Sequence, residues 1–114
     1  MITKEQAARL RNVIEEAARA GHGAVLLWGT ESQEVMAVEE MGELLTAIAR
    51  CNRGRIGKAA VVEEAADVII CALQVGLMFG AGDDWNPDDL IEAIANKSAR
   101  LSDRVQAAKE GGAS

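Results

Sequence analysis

Residues 65–81 read AADVIICALQVGLMFGA, and Asp67 and Gln74 are the only polar side chains in the run. A helix of this composition is apolar on nearly every side, so it is expected to lie deep in a bundle. An ionised Asp67 in such a helix must be paired or must bind a metal. The same two polar groups make the run too polar for a membrane span.

Working outward, Glu64 precedes Asp67 by three residues in VVEEAADVII. About twenty residues upstream, VEEMGELL carries Glu40 and Glu43 at the same spacing, with Glu39 directly before them. An i, i+3 pair on a helix shares one face, one turn apart. Two such helices lying antiparallel point four carboxylates into one small volume. Like charges that close repel unless a cation sits between them. Hard divalent cations with all-oxygen ligands, Mg²⁺ above all, suit that donor set. The competing readings are a solvated acidic face and a structural salt-bridge network with Arg or Lys. The helical projection sets Glu40 between the rows of Met36 and Leu44, with Glu39, Thr46 and Arg50 on the outer side. Glu40 and Glu43 are thus expected at the edge of the buried stripe, and Glu63 facing outward.

Composition narrows the class. A chain of 114 residues makes one domain with a single core. It is 49% hydrophobic but only 3% aromatic, with one proline, a mixture that favours helices over sheets. A net charge of −6 argues against a nucleic-acid surface. Cys51 and Cys71 have no CxxC spacing, so neither a disulfide framework nor a thiolate metal site is indicated. The opening MITKEQAARL runs into a charged amphipathic helix rather than a signal peptide, and the expected location is cytoplasmic, with no membrane partner.

Punctuation along the chain predicts four helices, at about 3–20, 30–52, 58–79 and 87–109. Thr3 with Gln6 makes a capping box, and Ala7, Leu10, Val13, Ile14 and Ala17 carry one apolar face to Gly21. GHGAVLLWG reads as a connector whose Val25–Trp28 packs across the bundle. Thr30 with Gln33 repeats the capping-box signal. RCNRGRIGK breaks the second helix and GAGDD stops the third. Asn86, then Pro87 at the first helical position and two aspartates, start the fourth, and EGGAS is a frayed tail.

EEMGEL, followed after some twenty residues by EEAAD, resembles the E-E-x-x-E … E-x-x-D signature of the MazG-like, all-α nucleoside triphosphate pyrophosphohydrolases. The likeness covers about residues 30–80. It implies an oligomeric four-helix bundle-like domain in which Glu40, Glu43, Glu64 and Asp67 hold Mg²⁺, with Glu39 as an accessory ligand. It further implies cleavage of nucleoside triphosphates to the monophosphate and pyrophosphate, a house-cleaning or nucleotide-pool role, and assembly as a homodimer or homotetramer. It places an Asn/Lys pair, here Asn96 and Lys97, at the phosphates. Phosphoribosyl-ATP pyrophosphohydrolases share the acidic helices, and EEAAD suits them nearly as well; WGTESQ and EEMGEL favour a nucleoside triphosphate.

The chemistry fits the residue types. Hydrolysis at an α-phosphate needs an activated water and relief of polyphosphate charge, which a carboxylate-held Mg²⁺ (or Mn²⁺) supplies. Glu39 or Glu43 is the candidate proton acceptor. Cationic groups are offered by the turn bearing Arg50, Arg53, Arg55 and Lys58, and by Lys97 and Arg100 on the fourth helix. Gln33, two turns before Glu40 on the same face, is a candidate for a base edge, or only the capping partner of Thr30. Trp28 is a candidate for base stacking, or an aromatic of the core or a subunit interface. Trp85 reads as a packing residue and His22 as a loop residue outside the chemistry. A ferritin-like di-iron site needs Glu-x-x-His motifs, which the single His22 does not supply. A non-catalytic helical oligomerisation module is the alternative outside enzymes. Oligomer contacts are expected through Leu73, Leu77 and Met78, or through the VLLW segment.

Overall fold

The computed structural model describes residues 1–80 and 85–112, which form four α-helices and no strand. These are α1 (Lys4–Trp28), α2 (Thr30–Asn52), α3 (Lys58–Met78) and α4 (Asp88–Glu110). Residues 81–84 of the GAGDD stop signal and the last two residues of the tail lie outside the described residues.

The capping box at the start of α1 is formed. The Gln6 backbone N–H donates to Thr3 Oγ1 and the Thr3 N–H to Gln6 Oε1, both at 3.0 Å. The helix does not end near residue 20, as its glycines suggested, but continues through Gly21 and Gly23 to Trp28. Gly21 is buried, and a Cβ on it would lie 2.6 Å from Gln74 Cγ. Its role is close approach of α1 to α3, not chain reversal. The reversal falls at Gly29, whose φ of +90° suits glycine and leaves one residue between α1 and α2. The second expected capping box is absent: α2 has no side-chain cap, and Gln33 turns inward. Asn86 Oδ1 accepts from the Asp88 N–H at 3.0 Å, so α4 starts one residue later than the proline suggested.

α3 is the central helix, packing along α2 most extensively and touching α1 and α4, while α4 meets no other helix among the described residues. Gly76 admits Leu90 of α4 so closely that a Cβ there would sit 2.8 Å from both Leu90 δ carbons. His22 stacks on Trp85 with centroids 4.6 Å apart and planes within 10°, pinning the entry to α4 against α1. His22 is therefore a helix residue with a packing role, and Trp85 is the packing aromatic expected.

The core is thin. Ala37, Ala47, Cys71 and Leu77 are its buried apolar residues, joined by the buried amides of Gln33 and Gln74. The radius of gyration is 16.8 Å, against about 13 Å for a compact domain of this length. No described helix is long and apolar enough to cross a membrane.

Candidate functional site

The facing sides of α2 and α3 bring Glu40, Glu43 and Glu64 together, with one carboxylate oxygen of each within 4.8 Å of the others. Glu40 and Glu64 are half-buried and Glu43 is exposed. Glu40 Oε2 and Glu64 Oε2 are shut off from solvent without a hydrogen-bond partner. Desolvation first, then the charges of Glu43 and Asp67, push the carboxyls of Glu40 and Glu64 above their ordinary range. The salt-bridge alternative finds no partner here. The one ion pair among the described residues, Arg19 to Glu15 at 3.1 Å, is exposed on α1. Two buried carboxylate oxygens facing a third acid, with no ion-pair partner among the described residues, make a donor set that a hard divalent ion fits.

Asp67 stands apart from the expected four. Its oxygens are not among the converging group, although its charge acts on Glu40 and Glu64. It is exposed rather than deep in a bundle. Val62, Ile69 and Ile70 on the same helix are exposed as well. An all-round apolar helix in this chain is only partly covered by its own neighbours.

The acids form a partition between two hollows. On one side a cleft of about 630 Å³ is lined by Glu39, Glu43, Glu64, Thr46 and Arg50 with Gly42 at its edge. On the other a smaller cavity of about 240 Å³ is walled by Glu40 and Asp67 and floored by Gln33 and Gln74. Of the cationic turn, Arg50 reaches the cleft; Arg53 is exposed on the turn and lines neither hollow.

Gln33 is buried, and its Oε1 accepts from Gln74 Nε2 at 2.9 Å. Trp28 ends α1 at 63% exposure and touches neither hollow. Asn96, Lys97 and Arg100 are exposed on α4, which contributes to neither hollow and does not meet α2, so a single chain does not bring them to the acids. Leu77 is buried within the chain and so is not free for a partner, whereas Leu26 and Leu27 are exposed. Two residues gain a place at the site. Arg50 was one of several cations in its turn. Gln74 had a signal in the sequence, being the second polar side chain of the apolar run. No protein-family model, curated protein or solved structure matches the chain.

Proposed function

We propose that this protein is a divalent-cation-dependent nucleoside triphosphate pyrophosphohydrolase, releasing the monophosphate and pyrophosphate. The observation that carries the reading is the convergence of Glu40, Glu43 and Glu64 with two buried, unpartnered oxygens and, among the described residues, no basic side chain in ion-pair contact with them. The motif resemblance points the same way. Glu40, Glu43 and Glu64 would hold Mg²⁺ or Mn²⁺, with Asp67 beside them as a fourth acid. When bound, the ion lowers the pKa of water and offsets polyphosphate charge. Glu39 or Glu43, both lining the larger cleft, would accept the proton of an attacking water. Arg50 on the same cleft suits the β- and γ-phosphates.

The reading includes a homodimer or homotetramer. The chain exposes 8805 Å², whereas a compact monomer of this size exposes about 6,000 Å². The excess of one chain is at least as large as what obligate interfaces remove from each partner, about 1,000–2,500 Å². Asn96, Lys97 and Arg100 then reach the phosphates of a neighbouring subunit's site. The test is a panel of ribo- and deoxyribonucleoside triphosphates, with phosphoribosyl-ATP as a further arm, assayed with Mg²⁺ for pyrophosphate. Pyrophosphate release abolished by EDTA is expected. Orthophosphate as the primary product, or turnover indifferent to EDTA, overturns the reading. The exposed apolar rows, such as Val38, Met41 and Leu45 on α2, favour one other reading, a non-catalytic oligomerisation module. An assembled protein inert on every triphosphate would establish it.

A further inference from the structure

We propose that the smaller cavity is a base pocket for a single-ring nucleobase, a pyrimidine, read by the amides of Gln33 and Gln74. The inference rests on the pyrophosphohydrolase reading for the direction of the ligand, since Glu40 and Asp67 form its wall toward the acids. Its content comes from the cavity itself. At about 240 Å³ it lies below the range of about 300–1,000 Å³ that takes whole drug-sized ligands. It therefore suits one ring rather than a complete nucleotide, and the larger cleft beyond the carboxylates is left for the polyphosphate.

The floor is polar, oriented and buried. Gln74 is 3% exposed and Gln33 is 8% exposed. Gln74 Nε2 donates to the Gly21 carbonyl at 3.1 Å and to Gln33 Oε1 at 2.9 Å. Both amide hydrogens are thereby committed, and the flipped amide would set oxygen against oxygen, so the orientation is fixed. Gln74 Oε1 accepts from no described residue, and Gln74 lines the cavity, so it keeps acceptor capacity there. Gln33 Nε2 has only a long contact to Ser32 Oγ, at 3.4 Å, and keeps donor capacity. An acceptor beside a donor complements the N3–H and carbonyl of uracil or thymine, or the N3 and amino group of cytosine. Met36 and Ile70 supply apolar walls for the faces of the ring.

The experiment measures binding of the uncharged nucleosides uridine, cytidine, adenosine and guanosine to the metal-free protein by NMR saturation transfer and titration. The four matching deoxynucleoside triphosphates are compared in parallel for pyrophosphate release with Mg²⁺. Uridine or cytidine is expected to bind about tenfold more tightly than either purine, because a second ring has no room in a cavity of about 240 Å³. Gln33→Leu should weaken pyrimidine binding about tenfold, the worth of one good hydrogen bond, with the helical circular dichroism unchanged. Should Gln33→Leu fail to fold, Ile70→Trp, which adds bulk at a lining position and leaves both glutamines unchanged, should abolish nucleoside binding. Purines bound as well as pyrimidines, or nucleoside binding unaffected by Ile70→Trp, overturns the base pocket. Pyrimidine binding without release of pyrophosphate from any triphosphate leaves the pocket standing and removes the enzyme reading. Equal turnover of all four triphosphates does the reverse.

Discussion

Two glycines two residues apart on α1 should respond to alanine with opposite signs. In a helix interior alanine is favoured over glycine by about 1 kcal/mol. At Gly23 nothing lies within 4 Å of the added methyl, so Gly23→Ala should gain most of that, about 0.5–1 kcal/mol. At Gly21 the methyl would lie 2.6 Å from Gln74 Cγ. That carbon cannot retreat freely, because Gln74 is held by two hydrogen bonds and is 3% exposed. Keeping it in place costs about 1–3 kcal/mol of overpacking. Moving it forfeits hydrogen bonds of about 0.5–1.5 kcal/mol each and strands a buried donor at about 1–3 kcal/mol more. After the propensity gain, Gly21→Ala should lose about 1–3 kcal/mol. Thermal melts at one fixed protein concentration separate the two, since assembly makes melting concentration-dependent. The Gly21→Ala midpoint should fall on the order of 10 °C below that of Gly23→Ala. Equal stabilisation by both substitutions would refute the close approach of α1 to α3, and with it the positioning of the Gln33–Gln74 pair.

Asp67→Asn should nearly abolish pyrophosphate release yet leave the metal-free melting point unchanged or higher, because it removes a charge that acts on Glu40 and Glu64; a metal-free protein that unfolds instead makes Asp67 a structural residue. Burial and neighbouring acids raise the folded-state pKa of Glu40 and Glu64 above 4.5, so there the folded protein binds more protons than the unfolded one. Their contribution to metal-free stability therefore falls as pH rises from 4.5 through the raised values. The Glu40→Gln/Glu64→Gln variant should accordingly gain on the parent across that window in denaturant titrations, and a constant difference counts against the strained cluster. Light scattering should give a dimer or larger at micromolar concentration. Mixing Asp67→Asn with Lys97→Ala subunits should restore activity, whereas confirmed subunit exchange without recovery means that α4 does not serve a neighbour's site.

What the sequence conveys here depends on how local the deciding contact is. α2 spans Thr30–Asn52, the expected range, and the Thr3–Gln6 box forms as read, because caps and breaks act within one turn. The pairing of Glu40 with Glu43 is equally legible, since helical periodicity alone puts them on one face. Two misreadings turn on a partner far along the chain. Gly21 looked like a helix stop because what matters, Gln74, lies 53 residues away. Gln33 carried a capping signal for Thr30, and burial against the same Gln74 overrides it. The placement of α4 depends on Leu90 meeting Gly76 and on Trp85 meeting His22, two contacts with no periodic signature.

Asp67 belongs to a different category of misreading. An apolar helix states how much surface must leave water, but not which chain covers it. In this protein α3 has Val62 at 68% exposure and Ile69 at 47%, while the central cluster of acids lies on its α2-facing side. Among the described residues the apolar surface of α3 is thus only partly covered by the chain itself. Under the proposed homo-oligomer a neighbouring copy would cover that surface, and a second subunit would close over the exposed Asp67 at its edge.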